Sequence, residues 1–436
     1  MSADVSIGDA GTRLAPHPLR AAVLGEVHAR PFTPLTTPRR ILHFGFATTG
    51  ASAVADHAAL TDFCARRGLP PPKPSDKHHR VSLGAMTMRW EQHSEFTTYT
   101  WELPVEGGAP FHPPAASLAS PMAALPQPGP LLVALDVSLI AETTPPVAVE
   151  KLFDRASLAV AENSDGQALF ATDFQMDAGG FVRVLIVDRG LGAERAGALV
   201  QRVIELETYR TLALLGLPEA QRLAPSINAI EDRLSEITEE MRGPGQLADN
   251  HRLLDELTAI AAELEAGATA SLFRFGASRA YNEIVYLRLQ TIGERKVGGL
   301  PTWTSFLARR MAPAMRTCLT IEERQINLSR KLARAANLLR TRVDVELERQ
   351  NRDLLTSMNE RTRLQLRLQS TVEGLSVAAI SYYVVGLFGY VVKGAHEAGL
   401  VHIDPGFMIA AFVPVAVVLI WSLVRHIRRK HIATER

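Results

Sequence analysis

Two short runs in the first hundred residues carry side chains that can do chemistry. The run Glu-Val-His-Ala-Arg-Pro places Glu26, His28 and Arg30 at alternate positions. Alternate residues of a β-strand lie on the same face, so these three side chains would share one face of such a strand. They form the first set of candidate ligand or metal-binding residues.

A second run repeats this spacing. Glu-Gln-His-Ser-Glu places Glu91, His93 and Glu95 beside a predicted hairpin turn. If the two runs lie together, His28 and His93 meet carboxylates, a donor set that suits zinc, manganese or iron. A His–Glu pair can equally work as an acid–base couple, and such pairs also simply brace domains. All three interpretations stay open, so the cofactor is unknown and a divalent metal is the candidate.

Other features narrow the function class. The sequence contains no HExxH, Walker or GxSxG motif, which argues against the best-known hydrolases and nucleotide enzymes. Its formal net charge of +1 gives no basic field for nucleic acid, so we expect no nucleic-acid partner. Cys64 and Cys318 form no CxxC pair, which is typical of a reducing compartment. The amino-terminal residues do not read as a secretion signal.

Two apolar runs near the carboxyl end predict a membrane anchor. Leu375–Val392 and Phe407–Val424 are free of charged residues, and each is about 18 residues long, near the minimum for a membrane span. The alternative is a pair of buried core helices. Two such runs in tandem, followed by a basic tail, favour a two-helix transmembrane hairpin at 374–424 with the lipid bilayer as partner.

Arginine and lysine set the expected orientation. Basic residues cluster before the first span and after the second, whereas the intervening loop carries one lysine with Glu397 and Asp404. By the positive-inside rule, both termini are cytoplasmic and the loop is external. The clustered residues are Arg349, Arg352, Arg361, Arg363, Arg367, Arg425, Arg428, Arg429 and Lys430.

The predicted fold class is an α+β cytosolic domain followed by a helical, coiled-coil-like stalk and the transmembrane hairpin. Residues 1–14 are predicted to be disordered and 15–190 to form the α+β domain. Period-two alternation predicts strands, and Gly68 with the three following prolines ends a helix that starts near Ala51. The predicted strands cover 41–49, 81–90, 95–103, 157–162, 168–174 and 181–187.

Helical patterning dominates the remainder. Residues 191–319 form a helical region with helices near 193–215, 226–241, 246–266 and 276–292, and a stalk helix covers 320–373. Residues 425–436 form a basic cytosolic tail. Apolar residues recur along the stalk at steps of four and seven, which is typical of a coiled-coil seam and predicts a homo-oligomer. They are Leu328, Leu332, Leu339, Val343, Leu347, Leu354 and Met358.

Several stretches resemble a bacterial family of membrane-anchored proteins, domain-of-unknown-function family 3422. They are HPLR at 17–20, GEVHARPF at 25–32, RWEQHSEFTTYTW at 89–101 and LQLRLQSTVEGLSVAAISYYVVGL at 364–387. The resemblance extends over nearly the whole chain. It implies a multi-pass protein of the bacterial inner membrane with a cytosolic body, and it implies no biochemical role.

The order of segments also resembles CorA-type divalent-metal transporters, which carry Gly-Met-Asn at the outer end of the first span. Here Gly389, Tyr390 and Val391 stand at that place, so the asparagine that would hold a hydrated cation is missing. The candidate pore or loop residues are Gly386, Gly389, Tyr390, Glu397 and Asp404.

The leading hypothesis is an oligomeric, membrane-anchored binding, sensing or scaffold protein without catalysis. The alternatives are a CorA-like cation channel or transporter and a membrane-tethered metal-dependent enzyme.

Overall fold

The computed structural model describes residues 17–20, 23–24, 32–105, 109–118, 122–243, 245–400 and 402–434. Glu26, His28 and Arg30 lie outside the described residues, so the prediction that they share a strand face stays a prediction. The chain divides into two compact units. Unit 1 comprises Met1–Glu239 with Glu256–Ala335, and unit 2 comprises Glu240–Asp255 with Ala336–Arg436.

Unit 1 is built on one mixed sheet, which confirms the predicted body of strands and helices. Among the described residues nine strands pair in the order β2-β3-β4-β1-β5-β8-β7-β6-β9. Only β5 and β8 run parallel, and every other neighbouring pair is antiparallel. The strands are β1 Arg39–Ala47, β2 His78–Leu83, β3 Met86–Gln92, β4 Phe96–Pro104, β5 Leu131–Ala141, β6 Ala159–Asn163, β7 Ala168–Thr172, β8 Val182–Asp188 and β9 Glu294–Lys296.

Within the described ranges, six longer helices follow or interrupt the strands. They are α1 Gly50–Arg66, α2 Ala193–Leu214, α3 Gly216–Glu240, α4 Leu247–Ile292, α5 Trp303–Glu397 and α6 Pro405–Thr434. A short helix, Ala115–Leu118, and two 3-10 turns, Met122–Ala124 and Val149–Lys151, lie between the strands. α1 begins with a capping box, because the Thr49 and Ser52 side chains bond each other's backbone N–H groups.

Both faces of the sheet are covered by apolar side chains. On one face, residues of β5 to β8 pack against α2, the end of α4 and the start of α5. On the opposite face, Leu42, Trp90 and Trp101 of the β2-β3-β4-β1 half pack against Leu60 and Phe63 of α1. This alternation places odd-numbered residues of β1 and β3, and even-numbered residues of β4, on the α2 face.

That α2 face changes character along the sheet. Over β5 it is apolar, with Val133, Leu135, Val137 and Leu139 all in the core. Over β1, β4 and β3 the same face carries polar side chains in register, because His43 pairs with Thr100 and Thr98 pairs with Glu91. The polar side chains of this part of the face are His43, Arg89, Glu91, Thr98, Thr100 and Glu102.

The structure corrects several predicted boundaries. The strand predicted over 81–90 is two strands, since a turn at Gly84, whose φ is +65°, joins β2 to β3. β5 was not predicted, although it is a central strand of the sheet. α3 begins at Gly216 and contains Pro225, so Ser226 is not its first residue.

Two long helices replace shorter predicted ones. α4 continues through Gly267 and Gly276, where breaks were predicted. α5 begins at Trp303 rather than Thr320 and continues through Gly374 to Glu397. Interior glycine costs a helix only about 1 kcal/mol relative to alanine, so the packing of long helices overrides it.

Unit 2 contains the two most apolar helical segments. The end of α5 and the beginning of α6 are long and apolar enough to cross a membrane, and only 17% and 11% of their 18-residue windows are buried inside the protein. A core helix of a water-soluble protein would be mostly buried. The two segments contact each other through the stacked rings of Phe388 and Phe412, whose centroids are 3.9 Å apart.

A buried ion pair between β1 and β5 supplies a test of the fold. Arg40 donates to both carboxylate oxygens of Asp136, from Nε at 2.9 Å and from Nη2 at 2.6 Å. Because Asp136→Ala leaves a buried guanidinium without its counter-ion, we expect a loss of about 3–5 kcal/mol in the free energy of unfolding. Thermal unfolding of the detergent-solubilised protein measures it.

Asp62→Ala is the matched control, because it removes the exposed carboxylate that pairs with Arg66. Its free energy of unfolding should fall by less than about 1 kcal/mol. Equal unfolding temperatures for the two variants would contradict the role assigned to the buried pair.

Candidate functional site

The polar strip on the α2 face opens into a cavity of unit 1 with a volume of about 210 Å³. β1, β3 and β4 form its floor, α2 covers it, and α4 contributes one arginine. The residues that line it are His43, Glu91, His93, Phe96, Thr98, Gln201, Ile204, Glu205, Thr208, Tyr209 and Arg288. Three of the polar side chains of this sheet half, those of His43, Glu91 and Thr98, therefore line one cavity together with polar residues of α2.

His43 is fixed by two threonines and lies at the bottom of the cavity. The Thr208 hydroxyl donates to the Ile204 carbonyl at 2.8 Å, so it accepts from Nε2 of His43 at 3.0 Å. Nδ1 is then left to accept from the Thr100 hydroxyl at 2.8 Å. Both ring nitrogens are occupied, which makes His43 a neutral structural residue rather than a metal ligand.

Electrostatics keep His43 neutral. Burial, and after it the positive charge of Arg89 and the neighbouring His93, lowers the pKa of His43 to about 3. The imidazole therefore carries no charge at neutral pH, and its hydrogen bonds hold β1, β4 and α2 together beneath the cavity.

Three neighbouring polar groups, the Glu91 carboxylate, Nε of Arg89 and the Thr98 hydroxyl, are poorly paired for their burial. The Glu91 side chain is only 8% exposed, and its ion pair with Nε of Arg89 spans 3.8 Å, beyond hydrogen-bonding distance. Neither that Nε nor the Thr98 hydroxyl has a hydrogen-bond partner among the described residues. Glu91 and Thr98 are direct cross-strand neighbours, so the unsatisfied groups lie side by side.

The opposite wall holds a paired carboxylate. Glu205 of α2 accepts from Nε2 of Gln201 at 2.8 Å and from Nε of Arg288 on α4. The ion pair with Arg288 neutralises this charge and holds the two helices at the edge of the cavity. The Glu205 carboxylate therefore has its partners within the protein, whereas the Glu91 carboxylate has only the long ion pair with Arg89.

The side chains of the run Glu91, His93 and Glu95 do not all lie in the cavity. His93 lines the cavity and stacks on Phe96, with ring centroids 4.0 Å apart. Glu95 is not among the lining residues. Its carboxylate pairs with Arg274 of α4, with Nη1 and Oε1 at 3.3 Å, and it accepts a hydrogen bond from Tyr281, whose pKa burial and this carboxylate raise.

A metal site is not assembled by the described residues. Within them, no group of three or more His, Cys, Asp or Glu side chains is placed to hold an ion. Glu26, His28 and Arg30 lie outside these residues, so the prediction that they join Glu91 and His93 remains a prediction.

The predicted pore residues lie in unit 2 and have ordinary structural surroundings. A Cβ atom at Gly389 would lie 3.2 Å from Cδ1 of Ile409, so this glycine permits close approach of α5 and α6. Oδ1 of Asp404 accepts from the Gly406 and Phe407 amides at 2.7 and 3.3 Å and caps α6. Gly386, Tyr390 and Glu397 are exposed.

Comparison with known proteins gives one match. Residues 15–431 match the model of the family described as protein of unknown function (DUF3422). The chain belongs to this family. No curated protein and no solved structure matches it.

Membership of the DUF3422 family confirms the resemblance read from the sequence motifs, and it assigns no biochemical role. The CorA-type resemblance has no counterpart in these comparisons and stays a prediction.

Sequence reasoning missed most of the cavity. His43, Thr98, Thr100 and the α2 residues come from segments far apart in the chain, so only the strand register brings them together. One signal was present in α2, where Gln201, Glu205 and Thr208 recur at steps of four and three on a helix face that also carries Ile204.

The depressed pKa of His43 predicts a pH dependence of stability. The unfolded chain binds a proton at this residue below about pH 6.5, and the folded chain does not until about pH 3, so stability falls as the pH falls through this window. Between pH 6.5 and 5 we expect His43→Gln to lose about 1–2 kcal/mol less stability than the wild type.

Unfolding temperatures measured across that pH range provide the comparison. His78→Gln, at an exposed position of β2, serves as the control and should follow the wild type. A pH dependence shared by all three proteins would show that His43 is not held neutral.

Proposed function

We propose that this protein is a membrane-anchored binding protein whose soluble body takes up a small polar ligand in the cavity between the sheet and α2. The observation that carries the proposal is the floor of this cavity, where Glu91 has only a 3.8 Å ion pair with Arg89 and the neighbouring Thr98 hydroxyl has no hydrogen-bond partner among the described residues. Burying a hydroxyl or another polar group without a hydrogen-bond partner lowers the free energy of unfolding by about 1–3 kcal/mol. A binding protein recovers this free energy when the ligand supplies the partner.

The size of the cavity limits the ligand. A volume of about 210 Å³ holds several waters or one small organic molecule. It lies below the ~300 Å³ at which pockets for drug-sized molecules begin. The ligand is therefore a small metabolite rather than a nucleotide or a peptide.

The open groups define its chemistry. Glu91 is an acceptor only, and Thr98 can accept or donate one hydrogen bond. Glu205, the other carboxylate of the wall, is already neutralised by Arg288. A ligand that offers hydrogen-bond donors, an amine or a polyol, complements this floor, whereas a carboxylate would be repelled by Glu91.

The anchor follows from α5 and α6. Both apolar segments are mostly unburied within the protein, and lipid is the solvent that favours such surfaces. Trp421 near the end of the second segment is covered by the guanidinium of Arg425, 4.9 Å from the ring centroid. A tryptophan beside an arginine is typical of a membrane–water interface. Together with the basic flanks, this supports the proposal that both termini lie in the bacterial cytoplasm.

Ligand-observed NMR on the detergent-solubilised protein tests the binding site. Three sets of probes are offered: small primary amines, monosaccharides with other polyols, and small dicarboxylates. We expect saturation transfer to at least one amine or polyol and none to the dicarboxylates, with a loss of at least tenfold in affinity in Glu91→Gln because its charged acceptor is removed.

Thr98→Val supplies a second variant of similar shape, which should also weaken binding. Glu95→Gln is the matched control, since Glu95 lies in the turn between β3 and β4 but does not line the cavity. Binding that survives in Glu91→Gln and Thr98→Val, or that is lost equally in Glu95→Gln, would refute the site.

Topology is tested by cysteine labelling in intact cells. Cys64 and Cys318 are buried, so the wild type provides a low background. A membrane-impermeant maleimide should label Ala398→Cys, in the loop, from outside. It should label Ala433→Cys, in the basic tail, only after the cells are permeabilised, because both termini lie inside. The reverse pattern, or labelling of neither residue after permeabilisation, would rule out this topology.

A further inference from the structure

A long stretch of α5 in unit 2 has an apolar face that nothing in the described chain covers. Leu339 and Val343 are buried, but from residue 344 to 372 nearly every side chain is exposed. Leu354 and Leu368 are 62% and 67% exposed. Thirty residues of helix rise about 45 Å, so this is a substantial surface.

Most of the exposed apolar residues fall into one heptad register, and Val345 and Leu366 lie outside it at position b. Leu347, Leu354, Leu368 and Leu375 take position d, with Arg361 between them. Position a is occupied by Asn351, Met358, Gln365 and Val372. A seam of leucine at d with occasional polar residues at a is typical of helices that pair in a defined register.

Charged residues avoid this face. Between residues 344 and 375, most acidic and basic side chains take the outward positions b, c and f, and only Asp344 at a, Glu348 at e and Arg361 at d lie on the inward side. Those in outward positions are Glu346, Arg349, Arg352, Asp353, Glu360, Arg363, Arg367 and Glu373. A helix that is solvated all round has no reason to segregate its charges in this way.

The flanking positions broaden the seam. Leu355 at e and Leu364 at g are also exposed, while the other flanking residues apart from Glu348 are uncharged Gln, Ser and Thr. Apolar residues at e or g in addition to a and d are typical of helices in bundles rather than in two-stranded coils.

We propose that residues 344–375 of α5 form a parallel, in-register helical bundle with the same segment of other copies of this chain. If α5 continues into the bilayer, as proposed above, the membrane plane holds identical residues of neighbouring copies at one height and in one direction. An identical seam then meets itself, which a foreign helix or an antiparallel copy would not achieve.

The area is sufficient for such an interface. Eight apolar side chains on the a, d, e and g positions are 41–73% exposed. At roughly 60–100 Å² apiece they offer about 500–800 Å² per helix, which approaches the ~800 Å² per partner of a stable protein interface. They are Leu347, Leu354, Leu355, Met358, Leu364, Leu368, Val372 and Leu375.

Periodic cross-linking of the full-length protein in its native membrane tests the bundle. Leu354→Cys and Leu368→Cys place a thiol at position d, and Thr356→Cys and Arg363→Cys place one at the outward position f. Mild oxidation with copper–phenanthroline should join at least half of the chains at the d positions and less than about a tenth at the f positions. Buried Cys64 and Cys318 do not contribute.

Each other outcome overturns the proposal. Equal cross-linking at all four positions indicates random collision in the membrane, and no cross-linking indicates that lipid, detergent or another protein covers the seam. Cross-linking between unlike positions only would indicate an antiparallel pair.

A gain-of-function variant makes a second test. Arg361 is the one charged residue at position d, so Arg361→Leu should complete the seam and shift the dissociation midpoint of the oligomer to higher detergent concentration. Arg363→Leu, outside the seam, should not. Loss of ligand binding with an intact bundle, or the reverse, would show that the two proposals stand or fail separately.

Discussion

One face of a single sheet has an apolar part and a polar part, and α2 packs over both. Over β5 to β8 this face is apolar and forms the largest core cluster. Over β4, β3 and the middle of β1 it is polar, and the transition takes place within β1. Strand alternation fixes the residues of β1 so that Ile41 joins the core while His43, two residues on, meets Thr100 and Thr208. The cavity lies where this polar strip faces Gln201, Glu205 and Thr208 of α2.

The two carboxylates of the cavity show how such a place is kept folded. Glu205 is neutralised by Arg288 and hydrogen-bonded by Gln201, so the wall is stable without a ligand. Glu91 has only a loose ion pair, and Thr98 has no partner within the described chain. The paired carboxylate of Glu205 therefore lies on one side of the cavity, and the poorly paired groups of Glu91 and Thr98 lie on the other. A site that binds reversibly requires this division, because groups already paired with one another gain little from a ligand.

Local patterns in the sequence predicted the elements that carry strong local signals. β4 was predicted because its residues alternate, and α1 because Gly68 and the prolines that follow it end a helical run. β5 was missed because both of its faces are largely buried, so its apolar run lacks alternation. Its one charged residue, Asp136, pairs with Arg40, which lies far away in sequence. The family motif identified Glu91 and His93 by residue type. The same spacing failed for Glu95, because residues 93–95 form a turn, where strand alternation no longer applies.

The account rests on the claim that the cavity beside Glu91 and Thr98 is a place for a ligand and not a gap in the packing. An experimental density map of the protein purified from its own membranes, at a resolution that shows ordered water, tests this most directly. We predict ordered density within hydrogen-bonding distance of the Glu91 carboxylate and the Thr98 hydroxyl, from a small molecule or from waters that mark its polar groups. A closed site, in which Glu91 bonds fully to Arg89 and the space is filled by neighbouring side chains, would contradict the account.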